Sequence, residues 1–175
     1  MAERIVLLRA VNVGGAKLPM QRLREIAADL GARDVSTHIA SGNLLCTPPG
    51  DPAEFDRALE ARIEAEFGFF REAISRTPAE LRQALDAYPF EVVEPKLAHI
   101  YFLASTPAPD AVADVASRDL GPDLAQVIGR DLHVRFADGA AASKLTAPFV
   151  ARVLGVPGTA RNLRTVAALV EKAGA

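Results

Sequence analysis

Two helix-start signatures, DPAE at 51–54 and TPAE at 77–80, bracket a stretch that has room for one helix and one short strand. Each signature sets a capping side chain, a proline at the first helical position and a glutamate at the third. After the first, Phe55, Leu59, Ile63 and Phe67 recur at four-residue spacing and Gly68 ends the pattern, which predicts a helix. Phe69 to Arg76 then reads as a strand, and a short helix with Leu81, Ala84 and Leu85 on one side follows it. Upstream, RIVLLRAV at 4–11 is a continuous apolar run, the pattern of a strand buried on both faces. Pro19 opens a helix whose stripe is Leu23, Ile26, Ala27 and Leu30, with Gly31 at its exit. Val35–Ala40 and Leu44–Thr47 read as strands around the turn Ser41, Gly42, Asn43. The order strand, helix, strand, strand, helix, strand predicts a ferredoxin-like α+β unit.

Two prolines in YPFEVVEPK, 88–96, mark the best boundary and predict two small subdomains, 1–88 and 89–175, in one compact chain. Beyond it, Ala98–Ala104 reads as a strand and Ala111–Leu120 as a helix. A hairpin follows at Leu124–Ile128 and Leu132–Phe136, then helices starting at Thr146 and near Leu163. His133 and Arg135 alternate with Leu132, Val134 and Phe136, so one face of that strand is expected to be wet. The second half is expected to be a related sheet-plus-helices unit, although no residue-level repeat is visible.

Composition removes several function classes. The formal net charge is −2, with Lys and Arg interspersed among Asp and Glu, so bulk phosphate-backbone binding is disfavoured. The chain has no Trp, and VSTHIA and LLCT carry no aromatic platform, which ranks RNA binding on a sheet last. A single cysteine, Cys46, rules out an internal disulfide and a cysteine-rich zinc site. His38, His99 and His133 show no metal-ligand spacing, and Glu60, Glu64 and Glu66 read as a solvated helix face. Neither a metal nor a cofactor is implied. The apolar run at Ile5–Leu8 is too short for a membrane span and no cleavage pattern follows, so a reduced, cytoplasmic location is expected.

The loops are more informative. RAVNVGG, 9–15, joins a strand to a helix, exposes the backbone N–H groups of Gly14 and Gly15, and leaves Leu18 as a poor cap. It is either a tight turn that needs two glycines or an anion site with Lys17 nearby. TARNLRTV, 159–166, sets Arg161 and Arg164 at the start of a helix, where cations oppose the dipole. Either an anion or a neighbouring carboxylate explains that placement. SKLT, 143–146, puts Lys144 before a Thr cap, and Ser41 lacks the nucleophile-elbow pattern of a hydrolase.

LLRAVNVGG, KLPM, HIASGN, FG at 67–68, PF at 89–90, SKL and TARNLRTV, in that order, resemble the bacterial family catalogued as domain of unknown function 1697. The resemblance implies an α+β protein of two subdomains and supplies no activity. Arg9, Asn12, Gly14, Gly15, Ser41, Gly42, Asn43, Lys144, Thr159, Arg161, Asn162 and Thr165 fit its motifs. Ala10 stands where that family usually has glycine, Ala40 where it has glutamine and Leu163 where it has tryptophan. The loop before Pro19 is one residue short.

Those residues define the expected ligand-binding set. The first functional expectation is a phosphate- or carboxylate-bearing small molecule held by Gly14, Gly15, Arg9, Lys144 and Arg161. No general base can be named, so no catalytic residue is assigned. The alternative is a protein-interaction or assembly module in which the same polar groups form an internal network. Open donors around a cleft would favour the ligand, and closed, paired networks the module.

Overall fold

The computed structural model of the chain describes residues 1–174. Two compact units emerge: Met1–Leu81 together with the segment from Leu169 onward, and Arg82–Ala168.

In the first unit the elements are β1 (Arg4–Leu8), α1 (Met20–Asp29), β2 (Arg33–His38), β3 (Asn43–Thr47), α2 (Pro52–Phe67) and β4 (Ala73–Arg76), with α3 (Pro78–Asp86) running out of it. The sheet order is β2-β3-β1-β4 and every pairing is antiparallel. Each strand–helix–strand crossover therefore skips one strand, which is the ferredoxin-like arrangement. Val6, Leu8, Leu44 and Cys46 pack against Leu23, Ile26, Phe55, Leu59 and Ile63 of the two helices. Ile5 and Leu7, on the other face of β1, are also fully buried, as the unbroken apolar run requires.

Local chemistry fixes the boundaries. Asp51 accepts from the N–H groups of Ala53 and Glu54, and α2 exits through Gly68 at φ 75°. Thr77 and Glu80 form a reciprocal capping box, each side chain accepting from the other's backbone N–H. Pro19 precedes the first turn of α1 as its cap residue and supplies no side-chain cap bond. The strand expected from Phe69 begins only at Ala73, because Phe69 is held by Phe67 (centroids 5.8 Å apart) and by the Arg71 guanidinium 4.8 Å over its ring.

The second unit contains β5 (Ala98–Leu103), α4 (Pro109–Ser117), β6 (Leu124–Ile128), β7 (Asp131–Arg135), α5 (Ala147–Leu154), β8 (Gly158–Asn162) and the start of α6 (Leu163–Ala173). Its sheet order, β6-β7-β5-β8, is again antiparallel throughout and repeats the topology of the first. Tyr101, Leu103, Leu132, Val134 and Phe136 form its core with Val115, Val150 and Leu154 of α4 and α5. The end of α6 is tied within the first unit, where the Lys172 ammonium donates to the Thr37 carbonyl at 3.2 Å.

Three expectations need correction. Residues 158–162 form a strand, β8, that the sequence does not predict, because GTARN is short and lacks an alternating apolar pattern; its pairing with β5 makes it a strand. The supposedly wet face of β7 is dry at His133, which is 1% exposed. Tyr88 covers it, with ring centroids 5.8 Å apart and the Tyr88 hydroxyl donating to the Val134 carbonyl at 2.8 Å. Glu60, expected on a solvated face, is 3% exposed.

Candidate functional site

In the first unit, the loops after β1, between β2 and β3, and before β4 meet at one end of the sheet. Arg9 and Glu72 form a salt bridge at 2.8 Å, and Arg71 donates to the Ala10 carbonyl at 2.9 Å. Asn12 is the central clasp. Its amide donates to the carbonyls of Leu18 and Ala40 at 3.0 and 2.6 Å, and its oxygen accepts from the Leu18 N–H at 2.8 Å. Gly42, at φ 80°, lies so close to Val11 and Leu8 that a β-carbon would collide with both. Asn43 is fully buried and donates to the His38 carbonyl and the Ser41 hydroxyl.

This end of the sheet is strained and partly apolar. Ala10, Asn12 and Ile39 have φ of 53°, 56° and 49°, a region that costs a β-branched residue most. Val13, Ile39 and Phe70 are 59%, 54% and 47% exposed there. Gly14 and Gly15, at φ 59° and 88°, donate to no backbone acceptor among the described residues and have open space around them. Lys17 is exposed beside them.

The second unit gathers Thr159, Arg161, Asn162 and Thr165 at the β8–α6 junction. The Arg161 guanidinium donates to the Thr159 hydroxyl at 2.7 Å and to the Ala160 carbonyl at 2.9 Å, and burial pushes its pKa down to about 10. Asn162 accepts from the Thr165 N–H at 2.8 Å and so caps α6. Arg161 therefore belongs to the strand and not to the helix's first turn, which removes its conflict with the dipole. Lys144 is exposed and lines a separate cavity of about 190 Å³ with Asp123 and Asp138. The Asp123 carboxylate is occupied by the Ala137 N–H and the Ser143 hydroxyl.

Sequence periodicity missed a pair of carboxylates on the buried side of α2. Glu60 accepts from the Ala73 N–H at 2.8 Å and from Arg57 at 3.0 Å, completing the start of the edge strand β4. Asp56 accepts from the Ser75 hydroxyl at 2.6 Å through one oxygen, while its other oxygen, Oδ1, is buried without a partner. Desolvation raises the Asp56 pKa to about 6, and burial likewise pushes the Cys46 thiol up to about 12. Four-residue spacing from Asp56 to Glu60 was the available signal, but nothing local told it apart from a solvated stripe. Among the described residues no group of three or more His, Cys, Asp or Glu is arranged to hold a metal ion.

Residues 1–133 match a family described as protein of unknown function (DUF1697). The chain belongs to this family. The DUF1697 match covers the loop end of the first unit and stops before Lys144, Thr159, Arg161, Asn162 and Thr165. A conserved bacterial protein from Streptococcus pneumoniae has a similar solved structure, with a TM-score of 0.74 at 21% identity over 100% of this chain and 99% of that one. That likeness carries the two-unit fold of this DUF1697 chain and nothing about ligands. No curated protein matches the chain.

Proposed function

We propose that the chain works as a protein-interaction module whose contact surface is the loop end of the first unit. One observation carries the reading: the asparagine and arginine side chains of the family-like motifs, Asn12, Asn43, Arg9, Arg161 and Asn162, are spent on bonds within the chain. Asn12 uses both amide donors and its oxygen, Asn43 bonds the end of β2 and the turn before it, Arg161 bonds neighbours on its own strand, and Asn162 is a helix cap. What that scaffold displays to solvent is Val13, Ile39 and Phe70. Exposed apolar residues on a braced loop cluster, with Ile39 held at a strained φ of 49°, suit a partner surface. The sheet residues that an RNA would stack on, such as Ile5, Leu45, Ile100 and Phe102, are fully buried, which weighs against nucleic acid.

A second reading is favoured by the open N–H groups of Gly14 and Gly15 beside Lys17, which suit a phosphate or carboxylate. It narrows the twelve-residue ligand set to one loop and gives Arg9, Lys144, Thr159 and Thr165 no part in holding the ligand. For either reading the reducing cytoplasm is the proposed setting.

A photo-cross-linking residue at Val13, compared with one at Leu124 on the second unit, tests the first reading. The interaction reading predicts a discrete adduct, to another protein or a second copy, from position 13 alone. Indistinguishable patterns from both positions would overturn it. A thermal-shift series with inorganic phosphate and acetyl phosphate tests the second, which requires a shift that Gly14→Val abolishes.

A further inference from the structure

We infer that a cavity in the second unit, outside the loop end discussed above, binds a free α-amino acid with an apolar side chain. The cavity is about 210 Å³ and lies between the 91–97 segment and the end of β7. Leu97, Ala98 and Phe136 give it an apolar floor, and Ala98 and Phe136 are each 1% exposed. His99 stacks edge-on against Phe136 at 5.0 Å and fixes that ring from the side.

Two charges face this space without meeting. Arg135 and Glu91 both line it, and no ion pair or side-chain hydrogen bond joins them to each other or to another described residue. Glu94, also on the wall, is already paired with Lys96 at 3.1 Å. Arg135 is half-buried, and no carboxylate among the described residues forms a salt bridge with it. A cation and an anion that line the same apolar-floored cavity complement a zwitterion. The carboxylate would take the bidentate fork of Arg135, the ammonium would meet Glu91, and the side chain would lie on Leu97 and Phe136. Size sets the class. A cavity of about 150 Å³ accepts benzene, so this one has room for a body the size of leucine or valine.

The test is calorimetric titration of the intact chain with L-leucine, N-acetyl-L-leucine and L-leucinamide, with amide shifts followed by NMR. The proposal predicts saturable leucine binding, at least tenfold weaker binding of the two derivatives that each lack one charge, and shifts confined to residues 91–98 and 135–137. Glu91→Gln, at an exposed site that leaves the fold intact, should weaken leucine at least tenfold while leaving N-acetyl-leucine unchanged, and Arg135→Gln should weaken both. No saturation by leucine or valine up to 50-fold molar excess at millimolar protein would overturn the proposal. So would N-acetyl-leucine binding as tightly as leucine, or shifts centred elsewhere.

Discussion

Arg76 and Arg161 hold the same position in two different sheets. Arg76 pairs with Ile5 on β4, and Arg161 pairs with Ile100 on β8. Each guanidinium donates to the carbonyl of the residue before it, at 3.1 and 2.9 Å. Each arginine is followed by a helix cap, Thr77 for α3 and Asn162 for α6. Both are almost fully buried, at 2% and 7% exposure. The two units thus repeat a strand-end arginine and a helix start, although SRTPAEL and ARNLRTV barely resemble each other as strings.

If these arginines are structural, truncating one removes bonds to buried acceptors. Arg161→Ala should destabilise by about 2–4 kcal/mol in urea unfolding. Arg161→Met keeps the packed stem and should cost less.

Asn12 joins the two loops, so Asn12→Ala should cost about 2–3 kcal/mol and raise hydrogen exchange at residues 39–42. Asn12→Gly loses the same bonds but relieves the backbone at φ 56°, and should be about 1 kcal/mol less damaging than Asn12→Ala. Equal losses would mean that the conformation carries no strain.

Glycines in the same loop region separate by surroundings. Gly42→Ala must displace Val11 and the Leu8 side chain as well as adopt a positive φ, and should cost about 3 kcal/mol or more. Gly14→Ala meets open space, so only the backbone term of about 1 kcal/mol remains. Thermal melts of the two variants check the ordering.

Asp56 gives a pH signature. Its pKa of about 6 in the folded protein exceeds the ordinary carboxylate value, so the folded state holds a proton that the unfolded chain has lost. Its stabilising contribution is complete below about pH 4 and is lost as pH rises through 6. His133 acts oppositely: desolvation lowers it to about 4, so its contribution grows between about pH 4 and 6.5. Asp56→Asn keeps a partner for Ser75 and should gain about 1–2 kcal/mol at pH 7. It should also leave a curve that rises from pH 4 to 6.5, where the unsubstituted chain is flatter. Urea midpoints across that range provide the measurement.

Ile39 sets stability against the proposed contact surface. Ile39→Asn relieves a β-branched residue at φ 49° and should raise stability by about 1 kcal/mol, while weakening the cross-link from position 13. Unchanged cross-linking would remove Ile39 from that surface.

Local chain signals specify the succession of elements in the first unit and most of the second. The signals for these are short-range: DPAE and TPAE act within one helical turn, and the RIVLL run or the Leu23–Ile26–Leu30 stripe needs no distant partner to be read. What each polar residue does depends instead on which distant segment packs over it. Glu60 and His133 look solvated along the chain and are buried because β4 and Tyr88 come to lie over them. GTARN becomes a strand because β5 offers it an edge, and the kinship of Arg76 with Arg161 exists only in strand register. Burial and pairing are made between segments far apart in sequence, so no local pattern can encode them.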